Sequence, residues 1–399
     1  MRIRPNTLSF TVFLGALSAL PPLSIDMGLP AFPTISEALK ASSGSVGLTL
    51  SLFMLGFALA QLVFGPLSDR FGRKPVLLFG CGLFTLAGAA CAVAPSIDSL
   101  IAWRLVQGAG AGAGMVMTLA IVRDLFEGAT ARAQLSYVNL VMSVAPMIAP
   151  TIGGRVLMVA GWRAIYGTLA IAGLLLVLSI ALGLSESIGH RDVNAIQPVR
   201  LIKNYGRILT NPICLGYALV NAFNFGCMFA YVAGSPLVML NVFGVSTTTY
   251  GWLFASTAFG IMAGSFLNGR LSIGGVLPSR LLTVGLVTAT ASAIALVIVS
   301  VSGAAQVITL MPLLVINTFC RGIISPNAMH GAIQPVPESA GVAAAVVGFM
   351  QMLAGAVASG LVAFLYDGHT AIAMSSVMAT FAIASFAAYF GLVHRSQVV

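Results

Sequence analysis

Charged side chains are scarce in this chain: Asp, Glu, Lys and Arg make up 7% of its 399 residues, against about 25% in ordinary soluble domains. Acids are the rarest, ten in all. With 58% hydrophobic residues and a mean hydropathy of +1.01, the chain has too few polar groups to cover a soluble core of this size. The four histidines, His190, His330, His369 and His394, stand far apart, and no HExxH, GxSxG or CxxC pattern accompanies them. A membrane-embedded enzyme needs a clustered nucleophile, base or metal set, and none is legible here. The five cysteines, Cys81, Cys91, Cys214, Cys227 and Cys320, all fall in apolar stretches, where a thiol behaves as a small hydrophobe. Disulfides, a metal site and a cofactor are therefore not expected.

What is abundant is apolar sequence in runs of membrane-crossing length. A hydrocarbon core about 30 Å thick takes about 20 apolar residues per helix. Hydropathy windows predict spans at 8–30, 46–66, 76–94, 99–120, 134–157, 163–184, 210–238, 250–268, 280–302, 306–328, 341–363 and 370–393. The expected fold is an all-α membrane protein of twelve helices. Its start, Arg2 and Arg4 before an apolar run, has the look of a signal peptide, but the run continues through Pro21 and Pro22 toward Asp26 and reads as an uncleaved first helix.

The net charge of +9 does not indicate nucleic acid, because the basic residues are scattered through short connections rather than gathered in a patch. They report topology instead. Arg2, Arg4, Arg70, Arg73, Lys74, Arg123, Arg132, Arg191, Arg200, Lys203, Arg207, Arg270, Arg280, Arg321 and Arg395 fall on one side, and Lys40, Arg155 and Arg163 on the other. Cytoplasmic loops carry the Lys and Arg excess, so both termini are expected in the cytoplasm. Arg104 is then the one basic residue left inside a span. The longest polar connection divides the chain into six-helix halves at 1–184 and 210–399, with a cytoplasmic linker at 185–209. A short echo, Gly65-Pro-Leu-Ser-Asp69 against Gly264-Ser-Phe-Leu-Asn268, fits an internal duplication.

A charge in hydrocarbon costs about 2.5–3.5 kcal/mol on insertion scales, so an intramembrane charge is a functional hypothesis. Of the ten acids only Asp26 falls in a predicted span. It is either a proton carrier or a wet residue near the periplasmic end of the first helix. Arg104 is its natural counter-charge, with snorkelling to the interface as the alternative; Gln107 adds a polar group to a similar face. Beyond Gln107 come Gly108, Gly110, Gly112 and Gly114, a surface on which helices can approach closely. The fifth span carries Pro146 and Pro150 beside Gly153 and Gly154. Such prolines break the backbone ladder, either gating a pathway or only bending a helix. Between the second and third spans, Gly65-Pro-Leu-Ser-Asp69-Arg70-Phe-Gly72-Arg73-Lys74 packs one acid and three bases into a short cytoplasmic loop, more than topology alone requires.

That loop, Arg104-Leu-Val-Gln-Gly108-Ala-Gly110 and Ser24-Ile-Asp26-Met-Gly-Leu-Pro30 together resemble the major facilitator superfamily. The resemblance covers essentially the whole chain and is narrowest to the drug:proton antiporter group of bicyclomycin and chloramphenicol/florfenicol exporters. It implies that Asp69 faces the start of the eleventh span near Ser339 to Gly341, where a helix N-terminus favours a carboxylate, and that Arg73 pairs with Asp124. It implies proton coupling at Asp26 and Arg104. The fifth-span antiporter motif matches only at Pro150, Gly153 and Gly154, since Ala149 stands where Gly is usual. Ser18 replaces a second acid present in some multidrug relatives, which leans the expected substrates toward neutral or weakly ionised molecules.

The substrate pocket is expected between the halves near the midplane. Asn139, Met142, Asn221, Phe225, Tyr231, Asn317 and Gln351 are its candidate walls, with 17 methionines available to adapt to varied shapes. The function implied is proton-driven efflux of small amphipathic drugs across the bacterial inner membrane by a monomer, since two halves enclose a pathway in one chain. Export or import of a particular sugar, nucleoside or amino acid on the same fold is the alternative.

Overall fold

A computed structural model describes residues 5, 7–189, 191–336 and 340–394. Arg2, Arg4, His190, Glu338, Ser339 and Arg395 lie outside the described residues, so the expected contact of Asp69 near Ser339 does too. The elements are α1 (Leu8–Asp26), α2 (Phe32–Ala38), α3 (Ser43–Phe71), α4 (Arg73–Ala92), α5 (Ile97–Leu125), α6 (Gly128–Gly183) and α7 (Pro198–Leu209). They continue as α8 (Pro212–Pro236), α9 (Thr247–Ile273), α10 (Pro278–Val301), α11 (Val307–Ile333), α12 (Ala340–Leu365) and α13 (Ile372–Ala388). Wide turns extend α8 over Leu237–Val242 and α13 over Tyr389–His394.

Eleven of the described helical stretches are long and apolar enough to cross a membrane. One of them, α6, is broken at Gly161, whose φ of 78° is left-handed and is open without strain to a residue lacking Cβ. Its two legs supply the fifth and sixth of twelve passes. Hydropathy does not register where a helix stops, and most helices overrun their predicted spans. The predicted loop at 67–75 is the clearest case: α3 continues to Phe71, and Gly72 alone, at φ 102°, separates it from α4. Asp69 and Arg70 are therefore helical residues. The first span likewise does not run straight to residue 30. It stops at Asp26, and a short turn at Leu29–Ala31 leads into α2.

Helix starts are written in the sequence. Ser96 accepts from Ser99 N–H at the head of α5, Asn211 accepts from Ile213 and Cys214 N–H at the head of α8, and Ser246 accepts from Thr249 N–H at α9, each satisfying donors the helix leaves unpaired. In the turn after α12, Thr370 Oγ1 and the backbone N–H groups of His369 and Thr370 donate to the Asp367 carboxylate. These bonds, the Thr370 hydroxyl first, hold its pKa down at about 2.

The chain divides into two compact units, Met1–Thr34 with Leu52–Leu201, and Ile35–Ser51 with Ile202–Val399. The division differs from the linear one in that Ile35–Ser51 groups with the second unit, where Ser51 Oγ donates to the Ala356 carbonyl at 2.7 Å. In the first unit α5 is the hub, because its alternate glycines face different helices. A Cβ at Gly108 would strike the Phe53 carbonyl of α3, at Gly110 the α4 backbone at Gly80 and Phe84, and at Gly114 the Leu17 carbonyl of α1. In the second unit α8 is the most enclosed span, and Tyr217, Val220, Leu286, Ile324 and Tyr389 belong to one buried cluster.

Candidate functional site

Two polar clusters lie inside the first unit and a third inside the second. The first joins the end of α1 to α5. Asp26 is the last residue of α1 and is 5% exposed. Arg104, 3% exposed, lies about two turns into α5, so it does not snorkel to an interface. It also does not pair with Asp26. Its Nη2 donates to the Ser24 carbonyl at 3.1 Å and its Nη1 to Gln107 Oε1 at 2.7 Å. The guanidinium lies 4.2 Å over the Phe53 ring and 5.7 Å from that of Tyr166. The correction has a simple cause: the Ser24 carbonyl at the end of α1 is an acceptor that sequence patterns do not display. Among the described residues Asp26 has no hydrogen bond or ion pair, and four fully buried polar atoms lack a partner: Ser18 Oγ, Ser24 Oγ, Arg104 Nε and Gln107 Nε2. All four belong to the first unit. An acid, a base and unsatisfied donors and acceptors thus share a buried region, the arrangement through which a proton can be held and passed.

The second cluster fixes the α3–α4 junction. Arg73 Nε donates to Asp124 Oδ2 of α5 at 2.8 Å, while Nη1 donates to Asp69 Oδ1 and to Ser68 Oγ, both at 2.6 Å. Arg70 extends along Phe71, 5.3 Å from its ring. One member was not anticipated. Glu186, just past α6, accepts from the backbone N–H of Arg73 at 2.9 Å and of Lys74 at 3.3 Å, capping α4 where Gly72 offers no side chain. A Cβ on Gly72 would come within 2.5 Å of Glu186 Oε2, so the glycine serves this cap as well as the turn. The linker adds Asp192 N–H donating to the Asp69 carbonyl at 3.0 Å. A lone acid directly after a predicted span was the available signal. Gly65, by contrast, has nothing within 4 Å of a built Cβ.

In α6, Pro146 and Pro150 lie within the first leg, and Gly153 backs directly onto the Met27 carbonyl just after α1; Gly154 follows it in the same leg. The expected pocket walls divide. Asn139 is exposed and Met142 partly buried on α6, and Gln351 is partly buried on α12. Tyr231 is tied to Thr257 of α9, hydroxyl to hydroxyl at 2.9 Å, and Asn317 donates to the Ala289 carbonyl of α10 at 3.1 Å, so both hold helices together. Asn221 and Phe225 border the third cluster.

That cluster centres on Arg321, expected at the cytoplasmic face. It lies near the middle of α11 instead. Its Nη1 donates to Asn224 Oδ1 of α8 at 3.1 Å and its guanidinium lies 4.7 Å over the Phe225 ring. Arg104 is therefore not the one basic residue inside a span. The signal was present, since position 321 falls well inside the predicted span at 306–328.

A chain of twelve apolar passes, with buried charges held between helices rather than turned to lipid, has the build of a polytopic transport protein. The sequence pattern of the Major Facilitator Superfamily matches residues 14–359. An uncharacterized MFS-type transporter, YdgK of Bacillus subtilis, is 36% identical over 389 residues, covering 96% of this chain and 95% of that one. The bicyclomycin resistance protein homolog of Haemophilus influenzae is 32% identical over 99% of both chains. Multidrug resistance protein D of Escherichia coli is 30% identical over 91% of this chain and 90% of its own. Among solved structures, a bacterial homolog of the human lysosomal transporter Spinster superposes with a TM-score of 0.75 at 16% identity, covering 98% of each chain. A D-xylose-proton symporter gives 0.72 at 14% identity over 95% of this chain and 98% of that one; likeness at this level concerns the fold alone. The chain belongs to the major facilitator superfamily.

Proposed function

We propose that this protein exports small amphipathic molecules, drugs among them, across the bacterial inner membrane in exchange for protons. The observation that carries the reading is Asp26: a buried acid at the end of a span, without hydrogen bond or ion pair among the described residues, two residues from the carbonyl that Arg104 holds. Protonation neutralises such a group in hydrocarbon, and loss of the proton restores its charge when the site opens to water. Substrate and proton compete for one site while the two halves alternate in access, the usual arrangement for repeats of this kind. The names of the relatives from Haemophilus influenzae and Escherichia coli support drugs as cargo.

The protein acts as a monomer with both termini in the cytoplasm, and it moves its substrates without altering them. Uptake into inverted vesicles under an imposed pH gradient, across a panel of drugs and metabolites, tests the reading. Gradient-dependent accumulation of several unrelated amphipathic compounds is the expected result. Accumulation of one sugar, nucleoside or amino acid alone would overturn it.

A further inference from the structure

Arg321 is a cation that proton exchange at Asp26 leaves unused. It sits fourteen residues after Val307 and twelve before Ile333, about 21 Å along the helix axis from its start at 1.5 Å per residue. A cation this deep in a span is expected to face an anion. Among the described residues none is within ion-pairing distance of it: both ion pairs belong to Arg73. Asn224 Oδ1 is the one hydrogen-bond acceptor its guanidinium meets among the described residues.

A guanidinium offers five N–H donors in a planar fork that matches a carboxylate, and most of these remain uncommitted. They are not sealed in packing either. Arg321 is only partly buried, and its nitrogens are not among the fully buried polar atoms without partners. One turn further along α11, Ser325 Oγ donates to Asn221 Oδ1 at 3.1 Å, leaving the Asn221 amide as another donor close by. The rings of Phe225 and Phe229, stacked at 4.6 Å, give this polar patch an apolar neighbour on α8. If Arg321 served only to fasten α11 to another helix, a neutral amide would do, as Asn317 does toward α10.

We infer that Arg321, oriented by Asn224 and Phe225, is a carboxylate-binding subsite within the second unit, and that the protein's substrates include amphipathic organic acids. Only the word substrate rests on the export reading; the subsite stands on the geometry of α8 and α11. The neutral or weakly ionised cargo expected from Ser18 is thereby narrowed toward acids.

The test is equilibrium binding to the purified full-length protein of 2-naphthoate, indole-3-acetate and nalidixate, each beside its methyl ester. The wild type should bind at least one acid about tenfold more tightly than its ester. Arg321→Gln should bring that ratio near one with ester affinity unchanged, and Arg321→Lys should keep part of the preference because it keeps the charge without the fork. If Arg321→Gln fails to fold, the wild-type ratios and Arg321→Lys decide. No acid bound better than its ester by the wild type would overturn the subsite, as would a full preference surviving in either variant. Uptake into inverted vesicles separates the two readings. An Arg321-dependent acid preference in binding, with no gradient-driven uptake of any probe, sinks the export reading and leaves the subsite. Gradient-driven uptake of acids and esters alike, indifferent to Arg321, does the reverse.

Discussion

Arg104 and Arg321 are held in similar ways in their respective units, Arg104 by a backbone carbonyl and Arg321 by a side-chain amide oxygen. Each lies on the fourth long span of its unit, reaches an oxygen on the first span at 3.1 Å, and covers an aromatic ring, Phe53 at 4.2 Å or Phe225 at 4.7 Å. The glycine crossings repeat as well. Gly56 of α3 meets the Leu105 carbonyl and Gly108 of α5 meets that of Phe53, while Gly264 of α9 meets the Phe319 carbonyl and Gly322 of α11 that of Ile261. These crossings pair Gly56 with Gly264, not Gly65 with Gly264 as the short sequence echo does, and Gly65 itself meets no atom within 4 Å. The difference between the arginines is what their surroundings supply: among the described residues, buried Arg104 has two acceptors, and partly buried Arg321 has one.

Asp26→Asn fixes the carboxyl in a neutral form and removes the charge change that exchange needs. Uphill uptake into inverted vesicles should vanish while downhill exchange persists. Substrate-induced proton release from the detergent-solubilised protein, compared across several pH values, is the direct measurement. Equal release from wild type and variant would place the coupling proton elsewhere.

Arg104→Lys should behave nearly as badly as Arg104→Ala, because an ammonium cannot serve the Ser24 carbonyl and Gln107 Oε1 in the planar geometry a guanidinium provides. Transport rates at matched expression check this. Full activity of the Lys variant would show that charge alone suffices.

At the α3–α4 junction the three contacts should differ in cost according to the kind of interaction lost. Arg73→Gln leaves Asp124 without its cation and should cost about 3 kcal/mol. Glu186→Ala removes a helix cap worth about 1 kcal/mol, and Asp69→Asn weakens a half-exposed pair worth about 0.2–1 kcal/mol. Thermal unfolding in detergent should give that order. A neutral Glu186→Ala would mean the cap is not maintained. Because Asp69 costs so little in stability, a transport defect in Asp69→Asn at normal expression would report a conformational role.

The glycines separate packing from other requirements. Gly108→Val and Gly322→Val push a side chain into a neighbouring backbone carbonyl and should destabilise by about 1–3 kcal/mol or more, seen as loss of the monodisperse peak on size exclusion. Gly65→Ala meets no atom within 4 Å and should fold as well as the wild type or slightly better, Ala being the stronger helix former by about 1 kcal/mol. A folding defect at Gly65 would contradict the packing account.

Topology is open to single-cysteine labelling, since all five native cysteines are buried and their replacement leaves a silent background. Ser43→Cys and Asp98→Cys should react with an impermeant reagent added outside intact cells, and Gln197→Cys should not. Labelling of position 197 from outside would invert the orientation.

Composition and periodicity were enough to define a twelve-pass membrane bundle, because span length and hydropathy are local properties set by the thickness of the bilayer. The same local reading located Asp26, Arg104, the Gly65–Lys74 segment and the glycines of the fourth span. Which groups meet was decided only by tertiary packing. Arg104 joins Ser24 across 80 residues, Arg73 meets Glu186 across 113, and Arg321 meets Asn224 across 97, and no period in the sequence encodes such pairings. Gly72 shows the limit most plainly. Its positive φ belongs to a turn that hydropathy predicted as a nine-residue loop, and its missing Cβ makes room for an acid from the far end of the same unit.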